Sequence, residues 1–372
     1  MNRALALARR GSGLVSPNPS VGAVVVKESK IVGIGWHGQS GALHAEVLAI
    51  REAGALARNA TLYVTLEPCN HYGKTPPCVD AIIESGISRV VYAMDDPNPN
   101  VVSGGARRLR EKGIEVQEGV LREKARELNV AWLNWLKHGK PLVVIKMALS
   151  LDACSASGVR GDLKWISSSV SRAQVHRMRR QADAIMVGSK TVLTDDPMLT
   201  NRSGKGPQPL RVIIDSELSI PLTAQVYKGA VESSIGTRPA NDKAVVFASN
   251  RASSERREQY ERAGIEVVAL EDFNGRLNLG AALEFLGKRG IQFLVCEGGG
   301  EIATSLIVEG LANRLILYYA PFLIGNEGLP FFRMSSGRAP STVRRFKLLR
   351  TSRVANDILA IYDVSATERV GN

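Results

Sequence analysis

The sequence predicts an α/β protein made of two domains. Its 372 residues are too many for one domain of average size and comfortable for two. Strand and helix patterns alternate along the chain, and the alternation breaks once, at Lys137–Pro141. Hydrophobic residues make up 44% of the chain and charged residues 23%, so the apolar material suffices for two cores. We therefore expect one domain over residues 1–140 and a second over residues 141–372.

The first domain opens with a helix and a β-hairpin. Two β-rich runs, Val21–Lys27 and Lys30–Trp36, are separated only by Glu28 and Ser29, which is the length of a tight turn. Helix and strand patterns then alternate, which predicts a mixed sheet covered by helices. In chain order the predicted elements are helix Asn2–Arg10, strands Val21–Lys27 and Lys30–Trp36, helix His44–Ala53, strand Thr61–Leu66, helix Pro77–Gly86, strand Arg89–Met94, helix Gly104–Gly113 and strand Ile114–Val120.

The second domain repeats the alternation after the break. Near its end a buried strand, Ile291–Cys296, runs into the glycines Gly298–Gly300, and a helix follows. The predicted elements are strand Leu142–Leu149, helix Ser169–Gln181, strands Ala184–Gly188, Leu210–Asp215, Ala244–Ala248 and Glu266–Leu270, helix Leu277–Gly287, strand Ile291–Cys296, helix Glu301–Glu309, strand Arg314–Ala320 and a last strand near Ile358–Val364. This order again predicts an α/β domain.

Composition narrows the classes of function. A net charge of +12 favours polyanions or phosphorylated small molecules as ligands. Aromatic residues are only 5% of the chain and are not interleaved with the basic residues, which argues against a nucleic-acid-binding protein. No apolar run is long enough to predict a transmembrane helix. Four cysteines are too few for a disulfide framework and indicate a reducing compartment.

Three residues of the first domain have the types and order of a catalytic zinc site. His44, Cys69 and Cys78 would supply one imidazole and two thiolates, which leaves the fourth tetrahedral position for water. Zinc lowers the pKa of that water to about 7, so hydroxide becomes available at neutral pH. Glu46 follows His44 by two residues at the start of a predicted helix, where it can move protons without binding the metal.

This set matches the H-x-E and P-C parts of the signature of zinc nucleobase deaminases, although eight residues rather than two separate the cysteines. The segment Glu67–Cys78 (EPCNHYGKTPPC) resembles the zinc segment of the riboflavin-pathway deaminases, which have this longer spacing. Pro17–Gly22 (PNPSVG) resembles the substrate-binding turn of that family, and Asp96–Pro99 (DPNP) resembles a second loop.

The resemblance implies a cytidine-deaminase-like layered domain. In the family, this domain uses zinc hydroxide to deaminate 2,5-diamino-6-ribosylamino-4(3H)-pyrimidinone 5′-phosphate. By resemblance, Glu46 is the catalytic proton shuttle and Asn18 contacts the pyrimidine, with His71 and Lys74 near the mouth of the site.

The resemblance continues through the second half of the chain, where it implies the dihydrofolate-reductase-like domain of the same bifunctional family. The segments that carry it are Lys146–Asp152 (KMALSLD), Trp165–Ser167 (WIS), Thr191–Arg202 (TVLTDDPMLTNR) and Val295–Gly300 (VCEGGG). In the family this domain uses NADPH to reduce the ribosyl side chain of 5-amino-6-(5-phosphoribosylamino)uracil to ribityl.

The resemblance also assigns residues to this second site. It implies that NADP is contacted by Trp165, Thr191, Asp195, Ser216, Gly298, Gly299 and Gly300, and the substrate by Arg179, Leu199, Arg202 and Glu297. Glycines between a strand and a helix let backbone amides approach phosphate, and guanidinium groups bind phosphate through a bidentate fork. Asp152 would orient the sugar hydroxyls or assist protonation.

Three positions depart from the family pattern and leave an alternative open. Ala153 and Cys154 stand where the family usually has Gly and then a basic residue, and Leu163 stands where it usually has Ser. The alternative is a deaminase whose C-terminal domain is a degenerate reductase, which predicts ammonia release without NADPH oxidation. A deaminase of nucleic acid is another alternative, motivated by the charge; it predicts salt-dependent binding to single-stranded DNA or RNA.

The resemblance sets the expected cofactors and partners. We expect Zn²⁺ and NADPH as cofactors and a small phosphorylated pyrimidine as the substrate, with no nucleic-acid and no membrane partner. It also implies a homodimer built through the reductase domains. We expect the protein in the cytoplasm, or in an organelle if a targeting segment has been removed.

Overall fold

The computed structural model describes residues 1–72, 76–98, 104–155, 165–203, 206–228, 244–273, 276–326, 328–332 and 344–369. These residues form two compact units, and the chain passes from the first to the second between Gly139 and Lys140. Each unit contains its own main sheet together with helices, which confirms the predicted α/β fold class. Among the described residues, no helix combines the length and apolar character that crossing a membrane requires.

The first unit is a layered α/β structure. Its elements are α1 (Asn2–Ala8), β1 (Gly22–Lys27), β2 (Lys30–Trp36), α2 (Ala45–Ala53), β3 (Thr61–Val64), α3 (Cys78–Glu84), β4 (Arg89–Tyr92), α4 (Gly105–Glu111), β5 (Glu115–Gln117), α5 (Arg122–Leu128) and α6 (Val130–His138). The sheet has the order β2-β1-β3-β4-β5. Strand β1 is antiparallel to β2 and β3, whereas β3, β4 and β5 are parallel.

The alternation of side chains along β1 separates the two helical layers. Val24 packs with residues of α1, whereas Ala23 and Val25 pack with residues of α2, because successive side chains of a strand point to opposite faces. Both clusters are almost fully buried. The sheet is therefore covered on both faces, as the mixed α/β pattern predicts.

Helix α2, whose N-cap is His44, lies directly on strand β2. A Cβ atom on Gly33 would lie 2.1 Å from the carbonyl oxygen of Ala49, and one on Gly35 would lie 2.1 Å from that of Ala45. Both separations are far below van der Waals contact, so only glycine permits this approach. The two glycines thereby fix the position of the helix that begins after His44.

The second unit is built on a larger sheet. Its elements are β6 (Leu142–Leu149), β7 (Cys154–Ser155), α7 (Ser169–Gln181), β8 (Ala184–Gly188), α8 (Ser189–Asp195), β9 (Leu210–Ile214), β10 (Val245–Ser249), α9 (Ser254–Arg262), β11 (Glu266–Leu270), β12 (Asp272–Phe273), β13 (Arg276–Leu277), α10 (Leu279–Lys288), β14 (Phe293–Cys296), α11 (Gly300–Val308), β15 (Arg314–Tyr319), β16 (Leu329–Pro330), β17 (Arg344–Val354) and β18 (Asp357–Arg369).

The main sheet of this unit has nine strands in the order β11-β10-β9-β8-β14-β6-β15-β18-β17. The strands from β11 to β15 are parallel, and the hairpin of β17 and β18 adds an antiparallel edge. The central strands are continuous apolar runs because helices cover both faces of a parallel sheet. The carboxyl ends of β6, β8, β9 and β14 meet at one edge, which is where open α/β sheets bind ligands.

Two regions of the first unit differ from the prediction. The predicted strand Ile114–Val120 is reduced to the three residues of β5, an edge strand whose side chains are mostly exposed. Residues 122–138, for which the sequence predicted no element, form α5 and α6. This second difference bears on the first site, because α6 supplies part of its wall.

Candidate active sites

The predicted zinc ligands come together from three separate places in the first unit. His44 is the N-cap of α2, Cys69 lies in the loop after β3, and Cys78 is the first residue of α3. Their ligand atoms all lie within 4.8 Å of one another. Nδ1 of His44 is 3.0 Å from Sγ of Cys78 and 3.5 Å from Sγ of Cys69. One imidazole and two thiolates form a donor set that suits zinc and leaves a position for a reactant.

Glu46 lies in the first turn of the same helix and is buried, with 4% of its surface exposed. Its Oε2 atom has no hydrogen-bond partner among the described residues. A buried acceptor without a partner is unfavourable, so such an atom indicates a place where a bound molecule completes the site. Burial raises the pKa of Glu46, and the hydrogen bond to Cys69 raises the pKa of His44 to about 9. The orphaned carboxylate oxygen and the three converging donors together fit a catalytic zinc centre.

The zinc loop is held against its neighbours by one arginine. Nη1 of Arg108 donates to Oδ1 of Asn70 over 2.8 Å, and Nη2 contacts Oδ1 of Asp80 over 2.5 Å. Asn70 follows Cys69 in the loop, and Asp80 lies on the first turn of α3. Arg108 of α4 therefore connects the two segments that carry the cysteines.

A cavity of about 370 Å³ opens beside these residues. Asn18, which the resemblance predicts to contact the pyrimidine, lines it together with His71, Glu46 and Trp132. Nδ2 of Asn18 is 3.1 Å from Nε2 of His37, another buried residue of the lining. His37 was not among the predicted site residues, although its position directly after strand β2 was a signal that could have identified it. Lys74 lies outside the described residues.

A group of three charged side chains lies in the second unit. Nε and Nη2 of Arg179 donate to the two carboxylate oxygens of Glu297 over 2.8 and 3.1 Å, and Nζ of Lys146 is 3.1 Å from Oε2 of Glu297. The exposed fraction of these side chains is only 6% for Glu297, 14% for Arg179 and 15% for Lys146. Burial alone would raise the pKa of Glu297, but the two cations lower it to about 2. Glu297 is thus a fixed carboxylate at the carboxyl end of β14.

Arg179 and Glu297 were both predicted as substrate contacts, and the structure brings them into direct contact. The two guanidinium donors of Arg179 that could form a bidentate fork, Nε and Nη2, both bind Glu297. The Nη1 atom of Arg179 donates to the carbonyl oxygen of Thr200 over 3.3 Å. Arg202, in contrast, is exposed. Lys146 was not among the predicted site residues, because a single lysine in a buried strand carries no pattern of its own.

The predicted nucleotide loop lies between β14 and α11. The N–H of Gly299 donates to Oγ1 of Thr191 over 3.1 Å, so the structure brings together two residues that the resemblance assigned to the cofactor. A Cβ atom on Gly300 would lie 2.5 Å from the carbonyl oxygen of Phe331, whereas the nearest atoms to a Cβ on Gly298 would be 3.5 Å away. Close backbone approach therefore requires glycine at position 300 but not at position 298.

The other residues assigned to this site lie at separate positions. Ser216 follows β9 at the carboxyl edge of the sheet, and Asp195 ends α8. Leu199 is buried, with 3% of its surface exposed. Trp165 is half exposed, and the guanidinium of Arg172 lies 4.8 Å from the centre of its ring.

Ala153 and Cys154, two of the three positions that depart from the family pattern, lie in the turn after strand β6. The structure describes this turn as far as Ser155. The carboxylate of Asp152 accepts hydrogen bonds from the N–H groups of Ile324 and Gly325 and from the hydroxyl of Ser150. Both oxygens of Asp152 are thus engaged by the protein, which indicates that it anchors a loop. Ala153 has a φ of 58°, in the region that favours glycine. Leu163 lies outside the described residues.

Comparison with known proteins gives matches over nearly the whole chain. The family model of the cytidine and deoxycytidylate deaminase zinc-binding region matches residues 1–94, and that of the RibD C-terminal domain matches residues 141–360. The riboflavin biosynthesis protein RibD of Aquifex aeolicus is 44% identical over 330 residues, which are 88% of each chain. That of Bacillus amyloliquefaciens is 42% identical over 360 residues, which are 96% of this chain and 94% of the relative.

Solved structures agree with these matches. RibD of Acinetobacter baumannii is 33% identical and covers 97% of both chains with a TM-score of 0.82. The diaminohydroxyphosphoribosylaminopyrimidine deaminase/5-amino-6-(5-phosphoribosylamino)uracil reductase of Thermotoga maritima is 35% identical, with a TM-score of 0.81 and coverage of 98% of this chain and 97% of that one. The zinc-binding half, the reductase half and their order in the sequence are thus all shared, and the chain belongs to the RibD family of bifunctional riboflavin biosynthesis enzymes.

Proposed function

We propose that this chain catalyses two successive reactions on one phosphorylated pyrimidine. The first unit replaces the 2-amino group of 2,5-diamino-6-ribosylamino-4(3H)-pyrimidinone 5′-phosphate by oxygen and releases ammonia. The second unit reduces the ribosyl side chain of the product, 5-amino-6-(5-phosphoribosylamino)uracil, to ribityl. The observation that carries the first reaction is the unpartnered, buried oxygen of Glu46 beside the cluster of His44, Cys69 and Cys78.

Deamination needs a water molecule that attacks the ring carbon and a route for its proton. Zinc, when bound by the three ligands, supplies a Lewis acid that lowers the pKa of water. Oε2 of Glu46 takes a proton from the attacking water and delivers it to the departing amino nitrogen, so the carbon–nitrogen bond breaks and ammonia leaves. Asn18 and His37, which contact each other in the cavity, hold the pyrimidine against this carboxylate.

The second unit must place a nicotinamide against the ribosyl carbon that accepts hydride. NADPH supplies that hydride when bound. We propose that Trp165, Thr191, Asp195, Ser216 and the loop Gly298–Gly300 hold the cofactor, since several of them lie at the carboxyl edge of the parallel sheet.

The charged side chains of Lys146, Arg179 and Glu297 lie at the carboxyl edge of the parallel sheet, and we propose that they serve the sugar phosphate part of the substrate. We propose that Glu297 contacts the ribosyl chain and that Lys146, held by Glu297, donates the proton that accompanies the hydride. Arg202 is exposed and therefore available to bind the 5′-phosphate, and Leu199 lies three residues before it in the same segment. Arg179 contributes by fixing Glu297, because its bidentate edge is already occupied.

A coupled assay tests both reactions. Purified protein receives the diaminopyrimidinone ribosyl phosphate, and ammonia release and NADPH absorbance are followed with and without a zinc chelator. Ammonia release followed by NADPH oxidation, both lost with the chelator, is the expected result. When the deaminated product is supplied directly, NADPH oxidation should survive chelation. Ammonia release with no NADPH oxidation on either substrate would instead favour the degenerate reductase.

We also propose that the protein is a homodimer in the cytoplasm. Strand β17 is an edge strand of the nine-stranded sheet, and Leu348 and Leu349 on it are exposed, as is Ile358 at the start of β18. Exposed apolar side chains on and beside an edge strand favour association with a second copy. Sedimentation equilibrium of wild type and of Leu348→Lys tests the dimer, and cell fractionation tests the compartment. A monomeric wild type would refute the first proposal.

A further inference from the structure

The turn at Pro17–Ser20 borders the cavity and has few backbone donors of its own. Proline has no N–H, so only Asn18 and Ser20 can donate from the backbone of this turn. The N–H of Asn18 donates to the carbonyl oxygen of Val15 over 2.7 Å. The position of the second half of the turn therefore depends on what pairs with Ser20.

Ser20 is paired by a side chain that lies 109 residues further along the chain. Oδ1 of Asn129 accepts from the N–H of Ser20 over 2.8 Å, and Nδ2 of Asn129 donates to the carbonyl oxygen of Ser20 over 3.2 Å. A second hydrogen bond from Nδ2 reaches the carbonyl oxygen of Ala125 over 3.4 Å. Ser20 and Asn129 are both buried, at 7% and 3% exposure, so water cannot replace these bonds without opening the structure.

The amide of Asn129 thus acts on Ser20 as a neighbouring β-strand would, with one donor and one acceptor at fixed spacing. Asn129 stands at the junction of α5 and α6, and Trp132, three residues later, lines the cavity and is 4% exposed. Residues three apart on a helix share a face, so one face of α6 both holds the turn and forms the wall.

From these contacts we infer that Asn129 is a positioning residue of the deaminase, which acts through Ser20 to aim Asn18 at the pyrimidine. The inference rests on the proposed deamination. The amide of Asn18 projects into the cavity and meets His37, so a shift of the turn misplaces the pair that recognises the substrate. Such a shift weakens substrate binding while it leaves the zinc ligands and Glu46, which lie on other segments, in place.

Asn129→Asp tests this with almost no change of shape. At neutral pH the carboxylate still accepts from the N–H of Ser20 but places a second oxygen against the carbonyl oxygen of Ser20. We expect KM for deamination to rise about tenfold or more, with kcat within about threefold of wild type. Zinc content, and NADPH oxidation with the deaminated product supplied directly, should be unchanged. Asn134→Ala, on the same helix and outside the cavity lining, is the matched control and should behave as wild type.

Lowering the pH gives a second readout that a purely structural role would not produce. Once the carboxyl group introduced by Asn129→Asp is protonated, its O–H can donate to the carbonyl oxygen of Ser20, as the amide does. The ratio of KM between Asn129→Asp and wild type should therefore fall as the pH is lowered, whereas the ratio for Asn129→Ala, which leaves Ser20 without either partner, should stay constant.

The outcomes separate the inference from the function on which it rests. An unchanged KM in both Asn129 variants would overturn the inference, and so would a loss of kcat that merely follows a loss of zinc. Wild-type protein that binds zinc but releases no ammonia from the diaminopyrimidinone would instead refute the proposed deamination.

Discussion

The buried carboxylate of Glu297 offers a quantitative test of the second unit. Glu297→Gln keeps the shape of the side chain and removes its charge, so the ammonium of Lys146 and the guanidinium of Arg179 lose their common partner. The pKa of Glu297 falls from its usual 4.5 to about 2, which corresponds to about 3 kcal/mol of stabilisation of the folded state. This value lies at the lower end of the range of about 3–5 kcal/mol by which removal of one partner of a buried ion pair destabilises a protein.

The effect on stability has a defined pH dependence. Because folding lowers the pKa of Glu297, its contribution is fully present above about 4.5 and is lost as the pH falls towards about 2. The free energies of unfolding of wild type and Glu297→Gln should therefore differ by about 3 kcal/mol at neutral pH and converge on acidification. A midpoint lowered by about 6–12 °C is expected for a unit of this size.

Scanning calorimetry of the full chain measures this shift. The transition of the second unit is identified as the one that a zinc chelator does not move. Glu301→Gln is the matched control, since its partner Lys190 is 2.7 Å away but both side chains are more than half exposed, and exposed pairs contribute only about 0–1 kcal/mol. Equal midpoints for Glu297→Gln and wild type, or a difference that persists on acidification, would refute the reasoning.

Three further predictions concern single residues. Glu46→Gln should retain zinc by metal analysis and lose about 10²–10⁴ in kcat for ammonia release, because only the proton shuttle is removed; undiminished release contradicts its role. Ala153→Gly should raise the free energy of unfolding in urea by about 1 kcal/mol, because φ is 58° there; a lower midpoint argues against strain. Gly300→Ala should weaken NADPH binding or lower the unfolding midpoint, since its Cβ would lie 2.5 Å from the carbonyl oxygen of Phe331. Gly298→Ala, the control, should leave the unfolding midpoint unchanged, and equal shifts of the midpoint in the two variants would show that close approach is not the reason for glycine.

Much of the fold follows from local patterns in the sequence. The hairpin Val21–Trp36 and the central strands of the second unit are found where alternating or continuous apolar runs predicted them. Helix α9 and strand β17 were missed, because polar and basic residues dominate both. A helix with one buried side chain, Tyr260, leaves no apolar period to detect.

The site residues also fall into those that a local pattern predicts and those that only the fold brings together. The group of His44, Cys69 and Cys78 with Glu46, which the fold brings together, was predicted from residue types and spacing, since metal chemistry restricts both. His37 and Lys146 were not, because their roles depend on which segments the fold brings together. Asn129 is the extreme case, as its partner Ser20 lies 109 residues away and no local pattern connects them.

The contribution of α6 to the first cavity affects how the chain can be divided. The zinc-binding family model ends at residue 94, whereas Trp132 belongs to the wall of the same cavity. A fragment cut at the end of that metal-binding region would keep every predicted zinc ligand and still lack a wall of the cavity beside them. A deaminase designed for expression by itself therefore has to extend to Gly139, and fragments that stop earlier would assay as metal-binding proteins with a damaged substrate site.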